Sequence, residues 1–421
     1  MKIDLTQVRE KFPSLQQSCI YFDNPGGTQI TKLALDRMSW YFHEANAQRG
    51  GHYSSSHNVD ETFAQARSHY ADFINAKGGN EIIFGNNMTT LTFSISRSIG
   101  HLMQPGDHIA LTHLEHDGNV APWLFLAEER GLIIDWVTIH PEDCTLDLES
   151  LNRALEKSPK ILAIGYASNF VGTINPLDKI IPKAHDAGAL VYVDAVQYAP
   201  HNPIDVQKLD CDFLVSSPYK FFGPHLGVLY AKHELLEKLY PYKVRPSSNL
   251  IPMRFETGTL NQEGIAGLWG TMEFFEWLGT NFGSEYEESL KNNYSGRSLL
   301  YKQAMAANLD YDYEIIRQML SVLKPIPGLK IFGITDESRV EERVPTFSFQ
   351  LDGWTPSDLA NSLGKAGINV MYGNFYALDT SIILGVEQQG GLVRAGATIY
   401  NTKEEIDYLG EVLSNLSSDK K

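Results

Sequence analysis

The chain has 421 residues, of which 43% are hydrophobic and 20% are charged, and its formal net charge is −16 at pH 7. This length and composition predict a globular protein with one large domain, a smaller one and a substantial buried core. The negative charge argues against nucleic acid or an anionic membrane as the main partner, because both require concentrated Lys and Arg.

The cysteines and the N-terminus predict a cytoplasmic protein. Cys19, Cys144 and Cys211 have no C-x-x-C spacing, so we expect neither a disulfide framework nor a metal site. The N-terminal segment MKIDLTQVREKF is charged and amphipathic, unlike the apolar core of a signal peptide. No window approaches the run of about eighteen apolar residues that a membrane span needs, so export and membrane insertion are not expected.

The first 80 residues predict helices separated by polar turns. The sequence DNPGGT at 23–28 is typical of a turn. The polar stretch 46–60 is interpreted either as a flexible surface loop or as part of an active-site mouth. Apolar spacing and helix stop signals predict helices over 5–12, 31–45 and 61–74, with an extended segment at 20–22.

From residue 81 onward, short apolar strands alternate with helical patterns. This alternation predicts βαβ units and a mainly parallel sheet, hence an α/β fold. The predicted strands are 81–84, 108–111, 133–137, 161–166, 190–193 and 213–215. The predicted helices between them are 91–102, 118–130, 148–155 and 177–187.

A change in composition near 233–270 predicts the start of a second, α+β part. Helices are expected over 266–279, roughly 284–308, 311–320 and 357–366, and strands over 330–332 and 346–350. Residues 336–343 are predicted to form a solvated loop and the tail 417–421 to be disordered. The resulting division is a large domain, 15–265, and a small domain that combines 1–14 with 266–421.

Polar residues follow five of the predicted strands, at the end where ligands collect in parallel sheets. They are Thr89, His116, Asn169, Asp194 with Gln197, and Ser217 with Lys220. The turn GNNMTT at 85–90 leads into a helix, and a helix N-terminus of this kind is a ready anion site, although a plain helix cap explains the same residues.

Asp194 and Lys220 point to a cofactor. Asp194 closes one apolar strand, and Lys220 follows another between Tyr219 and Phe221. Each alone has an ordinary interpretation, as a strand-end acid or a solvated lysine, but both are costly to bury without a partner. Pyridoxal phosphate would satisfy both, because its aldehyde condenses with a lysine and its pyridine nitrogen needs a carboxylate.

Several motifs together resemble a known family. The chain is similar to the class V aminotransferases of fold type I, and within them to the branch of cysteine desulfurases and selenocysteine lyases. The resemblance runs over most of the chain. It is carried by NMTT at 87–90, LEHDGNVAPW at 114–123, ASNFVGTINP at 167–176, VDAVQ at 193–197, SSPYKFFGP at 216–224, RFETGTLN at 254–261 and VRAGATIYNTKEEID at 393–407.

The resemblance implies a fold-type I pyridoxal phosphate enzyme with a large, mainly parallel, seven-stranded-type sheet and a small α+β C-terminal domain. It implies a homodimer with active sites at the subunit interface and a small amino acid as substrate. The resemblance implies that Lys220 attaches the cofactor covalently, that Asp194 contacts its pyridine nitrogen and that His116 stacks on its ring. It places Asn169 and Gln197 beside the phenolic oxygen, and Arg394 on the substrate carboxylate. The implied phosphate-binding residues are Met88, Thr89, Ser217, Tyr219 and, from the second subunit, Thr259.

One departure from the desulfurase branch bears on the reaction. That branch carries a persulfide-forming cysteine in a loop before the arginine, whereas VMYGNFYALD at 370–379 contains none and places Tyr376 there. Cys211 fits better as a small buried apolar residue. We therefore expect chemistry without a loop persulfide, with Tyr376, Tyr372 or a loop histidine such as His52 as the acid or base, and with His52 and Asn24 near the substrate.

These features lead to one principal hypothesis and three alternatives. The principal hypothesis is a pyridoxal phosphate lyase that acts on the Cβ–S bond of L-cysteine or of a cysteine-derived substrate. The first alternative is an aminotransferase or an amino-acid epimerase on the same frame. The second is a non-catalytic pyridoxal phosphate binder, and the third, a dinucleotide dehydrogenase, is disfavoured because no G-x-G-x-x-G joins an early strand and helix.

Overall fold

The computed structural model describes residues 3–16 and 19–418. The strands in this part of the chain are β1 (Ile20–Tyr21), β2 (Ile82–Gly85), β3 (His108–Thr112), β4 (Ile133–Val137), β5 (Ile139–His140), β6 (Thr145–Leu146), β7 (Ile161–Gly165), β8 (Leu190–Asp194), β9 (Phe213–Ser216), β10 (Gly227–Ala231), β11 (Leu329–Phe332), β12 (Thr346–Leu351), β13 (Ile368–Asn369), β14 (Met371–Gly373) and β15 (Leu392–Gly396).

The α-helices pack around the two larger of the four sheets. They are α1 (Leu5–Arg9), α2 (Lys32–Trp40), α3 (Ser54–Ile74), α4 (Met88–Gly100), α5 (Ala121–Arg130), α6 (Leu148–Leu155), α7 (Leu177–Asp186), α8 (Val206–Leu209), α9 (His233–Lys238), α10 (Gln262–Phe282), α11 (Glu287–Leu290), α12 (Gly296–Leu323), α13 (Pro356–Lys365), α14 (Leu378–Ile383) and α15 (Lys403–Ser418).

A seven-stranded, mainly parallel sheet forms the centre of the larger part. Its strand order is β2-β10-β9-β8-β7-β3-β4, and β10 is antiparallel to both of its neighbours. Every residue of β7, β9 and β10 is buried. Helices cover both faces of such a sheet, which explains why its strands are continuous apolar runs rather than alternating ones.

A second, four-stranded sheet has the order β11-β12-β15-β14 and is antiparallel throughout. One face packs against α12, α13 and α15 through a separate cluster of buried apolar side chains that includes Ile315, Phe347 and Leu409. The short strand β1 pairs in parallel with β13 in a separate two-stranded sheet, and a bridge between Asp23 and Gly396 connects the N-terminal segment to β15 of the second sheet.

Several predicted boundaries were wrong. The helix predicted from residue 61 begins at Ser54, so the second half of the supposed loop 46–60 is helical. The helix predicted over 284–308 is interrupted, since a short helix ends at Leu290 and α12 begins at Gly296. The segment 336–343 is not fully solvated, because Val340 and Arg343 are buried. Of the tail, Ser417 and Ser418 complete α15, and 419–421 lie outside the described residues.

Six strands in the described part of the chain were not predicted at all: β5, β6, β10, β13, β14 and β15. β14 has only three residues, two of them exposed, and so carries no alternating pattern that sequence analysis could detect. Within 3–16 and 19–418, no helix combines the length and the apolar character needed to cross a membrane.

Candidate active site

A cavity of about 980 Å³ lies at the carboxyl ends of the parallel strands, where the second sheet meets the first. The position is the one that open parallel sheets offer to ligands. The cavity brings together most of the predicted site residues: Met88, Thr89, His116, Asn169, Asp194, Gln197, Ser217, Tyr219, Lys220, Tyr376 and Arg394.

Asp194 is the last residue of β8 and is almost completely buried. Its Oδ1 atom accepts a hydrogen bond of 2.9 Å from the backbone N–H of Val196. Burial raises the pKa of its carboxyl to about 6, while that hydrogen bond and the charge of Lys220 act in the opposite direction. The carboxylate is thus costly to keep charged without a cationic partner in the cavity.

Lys220 ends the short helical turn Pro218–Lys220 after β9, and it is also buried. Its Nζ atom donates hydrogen bonds to the carbonyl oxygens of Pro25 and Gly26, the latter at 2.9 Å. Burial and the nearby charge of Arg394 lower the pKa of the Lys220 amine to about 7. A lysine with such a pKa is partly neutral, and therefore nucleophilic, at physiological pH.

His116 begins the turn that follows β3. Its Nδ1 atom accepts a hydrogen bond of 2.9 Å from the N–H of Gly118, so the proton of the neutral ring resides on Nε2. Burial, together with the charges of Lys220 and Arg394, lowers the pKa of His116 to about 4. The ring is therefore a neutral, flat surface inside the cavity at neutral pH.

Donors for an anion surround the N-terminus of α4. Asn87 caps this thirteen-residue helix, and the Oγ atom of Ser217 accepts a hydrogen bond of 3.3 Å from the N–H of Met88. The hydroxyl of Thr89 lines the cavity close to Gly118, where an added Cβ would lie only 2.8 Å from Thr89 Oγ1. Glycine is required there because the turn after His116 approaches α4 so closely.

Arg394 lies on β15 and is buried. It donates to the carbonyl oxygen of Asn169 at 2.9 Å and to Oδ1 of Asp23 at 3.3 Å, and its guanidinium lies 4.0 Å from the ring centre of Phe375. Burial lowers its pKa to about 10, and its Nε atom has no hydrogen-bond partner. Arg394 thus combines a structural ion pair with unused donor capacity.

Asn169 and Gln197 also border the cavity. The side-chain amide of Gln197 donates to the carbonyl oxygen of Pro25 at 2.9 Å, and that of Asn169 donates to the carbonyl oxygen of Phe375 at 2.7 Å. The Oδ1 atom of Asn169 is buried without a partner. Like Nε of Arg394, it is a polar atom for which a ligand would supply the missing hydrogen bond.

Three predicted residues do not line this cavity. The amide of Asn24 donates to the carbonyl of Gly396 at 2.7 Å and to Asn401, so its hydrogen bonds are used within the fold. His52 and Thr259 are exposed on the surface outside the cavity.

Two acids at the site were missed by sequence analysis. Asp23 pairs with Arg394, although only its neighbour Asn24 was assigned to the site from this turn. Glu115 is buried beside His116, and its carboxylate accepts hydrogen bonds from Thr112 (2.5 Å), Asn119 (2.8 Å) and the N–H of Gly165 (2.8 Å). Burial raises its pKa to about 7. An acid shortly after the apolar strand β3, next to the predicted His116, was the available signal.

Comparison with known proteins agrees with this geometry. A family model described as "Aminotransferase class-V" matches residues 20–299 and 296–409. A cysteine desulfurase of Serratia proteamaculans is 31% identical over 431 residues, which cover 97% of each chain.

Two solved structures share the fold along nearly the whole chain. The apo structure of a cysteine desulfurase from Thermococcus onnurineus has a TM-score of 0.87 and 26% identity, and covers 100% of this chain and 99% of the other. The cysteine desulfurase CsdA (S-sulfonic acid) of Escherichia coli has a TM-score of 0.82 and 26% identity, with 99% and 98% covered.

Proposed function

Because the chain belongs to the class-V aminotransferase family, we propose that it is a pyridoxal phosphate-dependent lyase acting on the Cβ–S bond of L-cysteine or of a cysteine-derived substrate. Family membership confirms the resemblance and the fold type that the motifs predicted, and it confirms pyridoxal phosphate as the cofactor. The single observation that carries the proposal is the pair of Lys220 and Asp194 on one cavity that also contains Arg394.

The residues of the cavity fit the cofactor. The buried acid Asp194 suits its pyridine nitrogen, the neutral ring of His116 suits its ring face, and Lys220 suits its aldehyde. The N-terminus of α4, with the hydroxyls of Thr89 and Ser217, suits its phosphate. We assign contacts beside the phenolic oxygen to Asn169 and Gln197, whose side chains border the same space.

The bound cofactor supplies a ring that withdraws electrons from the substrate's Cα. The protein supplies the proton transfers and the orientation. With a pKa of about 7, Lys220 can take the proton from Cα at neutral pH. Arg394 binds the substrate carboxylate through donors such as its unpaired Nε. Tyr376 lies at the mouth, 5.4 Å from the ring centre of His116, where its phenol can protonate the departing sulfur.

The test is a set of substrates offered to the cofactor-loaded chain. Cysteine, cysteine sulfinate, S-alkylcysteines and their sulfoxides are scored for sulfide or thiol, pyruvate and alanine. A lyase releases a sulfur product from at least one of them. The proposal fails if none yields one. Conversion of an added 2-oxo acid to its amino acid would identify an aminotransferase, and solvent deuterium in otherwise unchanged substrate would identify an epimerase.

We further propose that the protein is a cytoplasmic homodimer in which Thr259 contacts the cofactor phosphate of the partner subunit. The exposure of Thr259 outside its own cavity supports this assignment. The three free cysteines support a reducing compartment.

The division into a large domain, 15–265, and a small domain of 1–14 and 266–421 remains a proposal. The bonds from Arg9 to the carbonyl of Tyr400 (2.6 Å) and to Glu405 (2.9 Å) support the grouping of the N-terminal helix with the C-terminal part.

A further inference from the structure

The cavity has a polar inner end and large apolar side chains near its mouth. The charged and amide groups described above lie inside, where they are buried. In the single chain, the exposed lining residues include Met371, Tyr372 and Tyr376, which are 50%, 46% and 72% exposed, beside the polar Asn86, Thr90 and His225, and half-buried Phe93 of α4 also lines the cavity. We call Phe93, Met371, Tyr372 and Tyr376 the apolar rim.

An apolar rim serves no purpose for a free thiol. The side chain of cysteine is small, and the groups that bind its amine and carboxylate lie at the inner end. Large apolar side chains left exposed around a binding cleft are typical of a ligand-binding surface, because their contact with water is unfavourable until something covers them. The rim therefore indicates a substrate that extends outward from Cβ as an apolar group.

The positions of the thiols point the same way. None of Cys19, Cys144 and Cys211, all of which the structure describes, lines the cavity. Burial raises the pKa of Cys144 to about 12 and that of Cys211 higher still, so both are protonated at neutral pH and poor sulfur acceptors. With no thiol of this chain lining the cavity, the geometry favours a reaction in which the sulfur leaves together with the group it carries.

The loop that carries Tyr376 is held against the cavity. The carbonyl oxygens of Phe375 and Tyr376 accept hydrogen bonds from the Asn169 side chain (2.7 Å) and from the N–H of Asp117 (2.6 Å). The N–H of Tyr376 donates to the side chain of Asn374 at 3.1 Å. A loop anchored in this way forms a fixed wall for a substituent rather than an arm that carries a group away.

We propose that the substrate of this site is an S-conjugate of cysteine whose sulfur bears an apolar group, and that Phe93, Met371 and Tyr372 select that group. The inference rests on the proposed lyase function. In the reaction the Cβ–S bond breaks with its electron pair on sulfur, the Cα proton is removed, and water completes the products. The conjugate RS–CH2–CH(NH3+)–COO− plus H2O gives RSH, pyruvate and NH4+. The reaction consumes no oxidant or reductant.

The test compares S-benzyl-L-cysteine with S-methyl-L-cysteine on the cofactor-loaded full chain. The measured quantity is the ratio of their kcat/KM values for thiol and pyruvate release. Because burial of an aromatic ring is worth a large factor in affinity, we expect a ratio of about 10 to 100 in favour of the benzyl conjugate. Phe93→Ala and Tyr372→Ala are each expected to lower this ratio by about tenfold.

Matched controls lie outside the cavity. Phe42 and Tyr408 are exposed side chains of the same types, and neither lines the cavity, so Phe42→Ala and Tyr408→Ala are expected to keep the wild-type ratio. Because the ratio is internal to each variant, a partial loss of folded protein does not alter it.

Three results would overturn the inference. One is a wild-type ratio at or below one. Another is a ratio that neither Phe93→Ala nor Tyr372→Ala changes. If these variants alter only the oligomeric state, the rim packs against a second subunit and does not select the substrate. The third is release of sulfide from cysteine without any reaction of the conjugates, a result that refutes this inference but not the proposed lyase function. Absence of products from every substrate would refute the lyase function itself.

Discussion

Among residues 3–16 and 19–418, two lysines are buried and have strongly lowered pKa values, and one of the two faces the cavity. Burial lowers the pKa of both Lys220 and Lys302 to about 7. Lys302 donates to the carbonyl oxygens of Phe73 (2.7 Å) and Ile204, deep in the helical layer. A lowered pKa alone thus does not identify a reactive lysine. Lys220 is identified because it also faces a cavity that contains an acid, Asp194.

This pair provides an internal control for cofactor attachment. After pyridoxal phosphate is bound and the protein is treated with borohydride, peptide mapping is expected to find the label on Lys220 and none on Lys302. Lys220→Ala is expected to abolish the label and the associated absorbance. Label retained in that variant would show that the assignment of Lys220 is wrong.

The substitution Asp194→Asn is expected to raise the stability of the cofactor-free protein and to lower its activity with the cofactor bound. Burial raises the folded-state pKa of Asp194 above its unfolded value, so the stability of the cofactor-free protein falls as pH rises from about 4 to about 6. Asn carries no charge at any pH and avoids this loss. We expect the cofactor-free variant to be more stable at pH 7 by about 1–3 kcal/mol.

The same variant loses the acid that suits the pyridine nitrogen, so kcat/KM is expected to fall at least about a hundredfold. Thermal unfolding at pH 4 and pH 7, without cofactor, measures the stability difference, which should vanish at the lower pH. A variant that is less stable at pH 7 would contradict this interpretation of Asp194.

At the residue scale, sequence analysis found those side chains that follow buried strands, because their position is set by strand ends alone. It missed Asp23, since the partner of this acid, Arg394, lies 371 positions away in sequence and comes into contact only through folding. It placed Asn24 near the substrate because the hydrogen-bond partners of this residue, Gly396 and Asn401, could not be identified from sequence. These partners lie 372 and 377 positions away along the chain.

The segment from β14 to α14 is the element on which the reaction proposal depends. Phe375 and Tyr376 both have positive φ angles, 51° and 61°. Non-glycine residues in this region are held there at a cost of about 1 kcal/mol or more each. The hydrogen bonds from Asn169 and Asp117 provide the compensation and keep the loop in place.

Removing one of these bonds is expected to loosen the loop. In Asn169→Ala, amide exchange of Asp117, whose N–H donates to Tyr376, should accelerate by about five- to tenfold because one hydrogen bond of about 1 kcal/mol is lost. Asn281→Ala, which removes an exposed bond to Trp277, is the control and should leave Asp117 unchanged. Equal exchange in both variants would show that Asn169 does not hold the loop.

The strand and helix order was predictable where each element had its own apolar pattern, as in β7 or α6. The boundaries that failed lack such a pattern. Residues 54–60 are polar except for Val59, and their helix is stabilised by bonds such as that from Ser56 Oγ to the carbonyl of Gln48 and by contacts of α3 with α10 and α12. Tertiary packing, rather than local propensity, decides such segments.

At the scale of the whole molecule, the proposed dimer allows a complementation test. Lys220→Ala and Thr259→Trp are each expected to inactivate the homodimer. If Thr259 acts on the partner's cavity, a mixed dimer contains one intact site, with Lys220 from one subunit and Thr259 from the other. Co-expression is expected to restore about a quarter of wild-type activity, as random pairing predicts. No recovery would show that Thr259 acts within its own chain, whereas full activity of the Thr259→Trp homodimer would show that Thr259 does not act at the site.

The turn at Pro25 and Gly26 has a consequence for how the protein is assembled. Its carbonyl oxygens hold Lys220 and Gln197, and Pro25 also packs against Gly396, where an added Cβ would lie 2.2 Å away. Segments from the beginning, middle and end of the chain must therefore dock together before the lysine is positioned. Contacts of such long sequence separation form late, since the loop between them must close first. Cofactor uptake should accordingly be the last event of biosynthesis, and nascent chains that still lack their final strand should be unable to retain it.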